Sequence, residues 1–266
     1  MDYIDTHCHL DGILERLGEP DYPTFKSKYL SGTGDGGSAR FGGCITISCD
    51  PASIDPALSL LEQDGVHGAF GIHPHDAKAY APGLETRLKA AMAHPKSLAW
   101  GEIGLDYHYT MSPPETQKEV FARQIRMGVE CGKPLIIHTR EAEADTLEIL
   151  GREAPKDWKI HVHCFTSSPA MAERLLADFP NLCLGFTGIV TFKNAQELQG
   201  VAKATPLDRF LLETDGPYLA PVPHRGKPAH PGHIPLIARK IAELKGISES
   251  VIFEAARRNT RTLYGV

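Results

Sequence analysis

Tyr3-Ile4-Asp5-Thr6-His7-Cys8-His9 places a short apolar run directly before two histidines separated by one residue. In an extended strand, side chains alternate faces. His7 and His9 therefore point the same way, with Cα atoms roughly 6.5–7 Å apart, and Asp5 shares their parity. Two imidazoles on one face at a strand end can grip a single cation, whereas Cys8 turns the other way, into packing. Taken alone, the pair reads better as capping or satisfied core histidines than as ligands. Its weight depends on whether other donor residues close later strands.

They do. Residues 44–48, 67–72, 98–103, 134–138, 159–164, 182–186 and 210–215 read as further short apolar strands. Helical patterns separate them, ending near 63 and then covering about 84–92, 113–131, 141–152, 169–177, 195–203, 234–245 and 248–264. Pro113-Pro114-Glu115 is a good helix start and Gly132 a good stop. Apolar strands between helices imply parallel pairing with both faces covered. Eight such units in 266 residues predict an α/β fold, a single-domain TIM (β/α)8 barrel over 1–266, rather than an open sheet. Residues 11–43 carry no clear period and include Gly32-Thr33-Gly34-Asp35-Gly36-Gly37-Ser38, so they read as a Gly-rich loop insertion after the first strand.

Composition narrows the function classes. A formal net charge of −5 gives no global attraction to nucleic acid or acidic membranes, so a polyanionic substrate would need bound metal and local Arg or Lys. No apolar run reaches the roughly 18–20 residues of a membrane span, and no secretory leader is expected. The six cysteines form no CxxC pair and lie mostly in strand-like runs. A reduced cytoplasmic protein is expected, nuclear if the source is eukaryotic.

The strand ends carry His7 and His9 (first), His73 and His75 (third), Glu102 (fourth), His138 (fifth), His163 (sixth) and Asp215 (eighth). In a closed barrel these ends meet at one mouth. Six donors suit two cations better than one closed tetrahedral site: His7, His9 and Asp215 for one, His138 and His163 for the other, with Glu102 spanning both. Such a pair lowers the pKa of a water molecule and neutralises developing charge, and Asp215 could take the proton. Glu102 and Asp215 are therefore the expected catalytic carboxylates. Salt-bridged carboxylates are the bland alternative, but a buried unpaired carboxylate is costly and a metal removes that cost.

The runs Asp5–Leu10, Gly71–His75, Gly101–Tyr107, His138–Arg140, His163–Phe165 and Glu213–Leu219 together resemble the TatD family of metal-dependent deoxyribonucleases, in the family's order and over essentially the whole chain. The resemblance implies a nuclease using Mg²⁺ or Mn²⁺, with His7, His9, Glu102, His138, His163 and Asp215 as ligands and 3′→5′ polarity. The chain departs from the family in the longer 11–43 segment and in Pro228-Ala229-His230-Pro231-Gly232-His233, which borders the expected mouth. Four imidazoles would also suit Zn²⁺.

His73, His75, Arg140, Arg225 and Lys227 are the candidate substrate-binding residues, with Lys193 as a further phosphate contact. Their bland readings are a hydrogen-bonded structural histidine, an Arg140 pair with Glu141 or Asp145, and idle surface charge. Tyr107 and His108 could stack on a base or simply pack. Cys8 and Cys164 read as core. The expected partner is DNA, or RNA, as substrate; no protein partner is indicated. The competing function is an amidohydrolase acting on a small lactone, amide or phosphotriester. Glu102, and no Lys, stands in the fourth strand, which favours the nuclease.

Overall fold

The computed structural model describes residues 2–31 and 39–266. Gly32–Ser38, the centre of the expected Gly-rich loop, lies outside the described residues. Among the described residues eight parallel strands form one sheet in sequential order: β1 (Asp2–Cys8), β2 (Arg40–Ser48), β3 (Val66–Phe70), β4 (Ser97–Asp106), β5 (Leu135–Arg140), β6 (Ile160–Val162), β7 (Leu182–Phe186) and β8 (Phe210–Leu212). The sheet closes on itself just beyond β8. There Asp215 N donates to His7 O at 2.9 Å and His9 N to Gly216 O at 2.7 Å. This is the (β/α)8 barrel expected from the alternation of strands and helices.

Ten α-helices surround the strands among the described residues: α1 (Leu10–Leu17), α2 (Tyr22–Phe25), α3 (Ile54–Leu60), α4 (Pro82–Met92), α5 (Pro114–Glu130), α6 (Glu143–Glu153), α7 (Pro169–Asp178), α8 (Gln196–Ala204), α9 (Ile234–Lys245) and α10 (Glu249–Tyr264). The first two correct the reading of 11–43 as loop. Leu10, Ile13, Leu14 and Leu17 repeat at helical spacing, and Gly18 closes α1 in the left-handed conformation. A π-helical turn, Lys26–Leu30, continues α2.

Side-chain alternation divides the core into two. Ile45, Ile47, Ala69, Ala99, Ile136, Cys183 and Leu211 fill the barrel interior, with Leu263 and Tyr264 of α10 closing its lower end. Cys44, Phe70, Trp100, Ile137, Val162, Leu184 and Leu212 pack outward under the helices. Continuing the inward set by two residues leads from Ile136 to His138, from His161 to His163, and from Leu211 through Glu213 to Asp215. The site is thus the upper layer of the barrel filling.

Two glutamines of α5, seven residues apart on one face, clamp strand ends that carry site residues. Gln124 Oε1 accepts from Ile72 N at 2.8 Å and its Nε2 donates to Ile72 O at 2.9 Å. Gln117 holds Asp106 in the same way, at 2.8 and 3.0 Å. Gly104, at φ +149°, lets β4 lie against β5, because a Cβ there would run into the His138 carbonyl.

Candidate metal centre

Glu102 lies at the centre of the mouth, 2% exposed, and its two oxygens face different histidines. Oε1 is 2.7 Å from His163 Nε2, 2.9 Å from His138 Nδ1 and 3.5 Å from His73 Nε2. Oε2 is 3.4 Å from His7 Nε2 and 4.0 Å from His9 Nε2. Asp215 Oδ1 completes the second group, 3.6 Å from His7 and 3.5 Å from His9. Glu102 thus contacts the four histidines expected as ligands, and Asp215, the sixth expected donor, joins them through His7 and His9. His7, His9 and Asp215 form one triad of mutually close donors; His73, Glu102 and His138 form another; His7, Glu102 and His163 link the two. His73 joins the donor cluster, a place the strand-end pattern left undecided between substrate and structure.

The donors fit divalent cations. Neither ring nitrogen of His7, wholly buried, has a hydrogen-bond partner among the described residues, although Nε2 faces two carboxylates. A buried imidazole left so costs free energy that coordination removes. Charge is arranged to match. Burial alone would raise the Glu102 pKa, but His163, His73 and the His138 hydrogen bond hold it well below the usual carboxylate range. Burial opposes a His138 cation, yet hydrogen bonds to Asp106 and Glu102 lift its pKa to about 9. His7 is pushed the other way, to about 4, by burial and by the neighbouring His163. An entering cation would displace protons from this set.

Asp106 stands behind the cluster. Its Oδ2 lies 3.0 Å from His75 Nε2 and 3.4 Å from His138 Nε2, and its Oδ1 accepts from the His108 and Tyr109 backbone N–H groups at 2.9 Å each. His75 N in turn donates to His73 Nδ1 at 3.1 Å. Sequence reasoning gave Asp106 no role because it ended the fourth strand at Ile103, whereas β4 runs on to Asp106. It also gave no role to His161 and Glu213. These form a buried column through the barrel, His161 Nε2 lying 3.0 Å from Glu213 Oε2 and its Nδ1 2.8 Å from the Tyr264 hydroxyl.

A cleft of about 960 Å³ opens above the cluster, lined among others by His73, His75, Tyr109, Arg140, Cys164 and Tyr218. Cys164 corrects its reading as core: β6 ends at Val162 and Cys164 has φ +43°, so strand parity no longer applies. Arg140 is exposed on the cleft wall, stacked 5.0 Å over Tyr109. The partners proposed for it are engaged elsewhere, Glu141 with His108 at 2.6 Å and Asp145 with the Tyr107 hydroxyl at 2.6 Å. Tyr107 and His108 are thereby tied down. Arg225 stacks 4.1 Å over Phe192, and Lys193, Arg225 and Lys227 do not line the cleft.

A (β/α)8 barrel whose mouth gathers this set of histidines and carboxylates beneath an open cleft has the arrangement of a metal-dependent hydrolase. The family model described as TatD related DNase matches residues 4–265, and the chain belongs to that family. It is 42% identical over 271 residues to the Homo sapiens protein named 3′-5′ RNA nuclease TATDN2, covering 99% of this chain and 35% of that relative, so the chain spans about a third of its length. It is 36% identical over 267 residues to the Escherichia coli (strain K12) metal-dependent hydrolase YcfH, covering 100% and 97% of the two chains. The solved structure of the TatD homologue YjjV from Escherichia coli K12 superposes with a TM-score of 0.86 at 26% identity, covering 99% of this chain and 98% of that one. Among the described residues no helix is long and apolar enough to cross a membrane.

Proposed function

We propose that the chain is a two-metal nuclease that hydrolyses phosphodiester bonds at the 3′ ends of DNA, and of RNA, as a 3′→5′ exonuclease with Mg²⁺ or Mn²⁺ as the working ions. The observation that carries this reading is the division of Glu102 between two histidine groups at the floor of an open cleft. His7, His9 and Asp215 would hold one ion and His138, His163 and His73 the other, with Glu102 shared. When bound, a cation pair supplies a nucleophile at neutral pH and neutralises charge on the phosphoryl group. The chain's own residues do the rest. Asp215, partly open to the cleft, is placed to take a proton, and Arg140 to orient a phosphate. Arg225 and Lys227, outside the cleft lining, would act only on more distant phosphates.

The barrel mouth admits a frayed or unpaired end more readily than continuous duplex, which supports exonucleolytic action. The six free thiols, buried or half-buried, support a reducing compartment, cytoplasmic or nuclear. The test is hydrolysis of 5′-labelled single-stranded DNA, single-stranded RNA, duplex and closed circular DNA by protein stripped with chelator and reloaded with Mg²⁺, Mn²⁺ or Zn²⁺. A ladder shortening from the 3′ end supports the reading. Equal cutting of circular and linear DNA overturns the exonuclease part.

A further inference from the structure

We propose that Tyr109 and Tyr218 are nucleobase platforms on opposite sides of the metal centre, each backed by a guanidinium, so that the ligand is a single strand whose bases are splayed apart about the phosphodiester above Glu102. The proposal rests on the nuclease reading and extends it to the bases of the substrate.

Large apolar side chains left in solvent mark binding surfaces when they cluster. Here Tyr109 (47% exposed) and Met111 (58%) follow β4, and Tyr218 (48%) and Val222 (44%) follow β8. Both tyrosines line the cleft. They are built alike. The Arg140 guanidinium carbon lies 5.0 Å from the Tyr109 ring centre, and that of Arg16 lies 4.6 Å from the Tyr218 ring centre. A guanidinium on a ring fixes the plane of that ring and leaves N–H groups for a phosphate alongside.

Each platform also touches one end of the donor cluster. Tyr218 meets His9 edge-on, with ring centres 6.0 Å apart, beside His7 and Asp215. Tyr109 meets His75 edge-on at 5.8 Å, beside Asp106 and His138. β4 and β8 stand four strands apart in the eight-strand order, on opposite walls of the closed barrel. Two neighbouring bases stacked in a duplex face each other and cannot reach opposite walls. An unpaired strand lying across the mouth can place one base on each ring, and stacking of that kind tolerates any base.

The experiment compares hydrolysis of an oligothymidylate with that of the same oligomer carrying tetrahydrofuran abasic residues at its two 3′-terminal positions, using full-length Mn²⁺-loaded protein. In the unsubstituted protein the base-bearing oligomer should show a KM about 10-fold or more lower. Tyr109→Leu and Tyr218→Leu should each remove most of that ratio, and Tyr109→Phe and Tyr218→Phe should keep it. The ratio is internal to each variant, so a general loss of folded enzyme does not mimic the result. Equal KM values in the unsubstituted protein, or Leu variants with an unchanged ratio, overturn the platforms and leave the nuclease reading standing. Failure of every DNA and RNA oligomer to be hydrolysed or bound overturns the nuclease reading, and the platforms with it.

Discussion

Asp106 Oδ2 lies 3.4 Å from His138 Nε2, the ring nitrogen on the far side from Glu102, while Nδ1 of the same ring lies 2.9 Å from Glu102 Oε1. One imidazole thus joins a coordinating position to a carboxylate behind it, which fixes both its tautomer and its plane. Asp106→Asn keeps the shape and the backbone hydrogen bonds to His108 and Tyr109 but removes the charge. Its affinity for Mn²⁺ should fall by about 10–100-fold, read by calorimetric titration of chelator-stripped protein. Unchanged affinity would show that His138 orients itself.

Metal should stabilise the fold as well as activate it, because neither ring nitrogen of buried His7 has a hydrogen-bond partner among the described residues. Saturating Mn²⁺ at about 100 times its dissociation constant should add about 2.7 kcal/mol to the unfolding free energy, and EDTA should reverse this. Glu102→Gln should abolish most of that gain and lower hydrolysis by at least about 100-fold, since partners outside the coordination sphere alone are worth that much. The checks are thermal melts with and without metal, and initial rates.

The barrel and its donor set were legible because strand alternation and strand ends carry positional information. His138, His163 and Asp215 each continue an inward-facing series. Glu102 does not follow so simply: counted from inward Ala99, strict alternation would send it outward, and the register shift between Trp100 and Ile103 turns it in. Tyr107 and Tyr109 differ by two residues in a turn without period, so nothing in the sequence told which ring would pack and which would face the cleft. α1 was hidden by the Gly- and Pro-rich residues after it, although Leu10, Ile13, Leu14 and Leu17 had the right spacing.

Acid should weaken the α4–α5 contact. Glu85 accepts from Arg123 Nε at 2.9 Å and from its terminal nitrogen at 2.7 Å, and the Arg123 hydrogen bond is the largest cause of a Glu85 pKa lowered from 4.5 to about 2. A depressed carboxyl pKa contributes stability above its unfolded value, and that contribution is lost as pH falls through the folded one. Discounted for the half-exposed Arg123, Glu85→Gln should cost about 1 kcal/mol near neutrality, and the difference should shrink between about pH 4.5 and about pH 2. Urea titrations of both proteins across that range measure it.

The α5 clamp on β3 offers a separation of stability from chemistry. Gln124 is wholly buried and satisfies both backbone groups of Ile72, the residue before His73. Gln124→Leu has nearly the same volume and adds no strain, but leaves a buried N–H and a buried C=O without partners. Each such orphan costs about 1–3 kcal/mol, so with two of them the variant should lose about 2–6 kcal/mol by denaturant unfolding. Because the His73 position depends on that strand end while His7, His9 and Asp215 are held by β1 and the β8 closure, the damage should fall on one side of the centre. Metal titration should then show weakened binding for the His73–Glu102–His138 group and unaltered binding for the His7–His9–Asp215 group. Equal weakening of both groups would mean that Glu102 couples them so tightly that they act as one site.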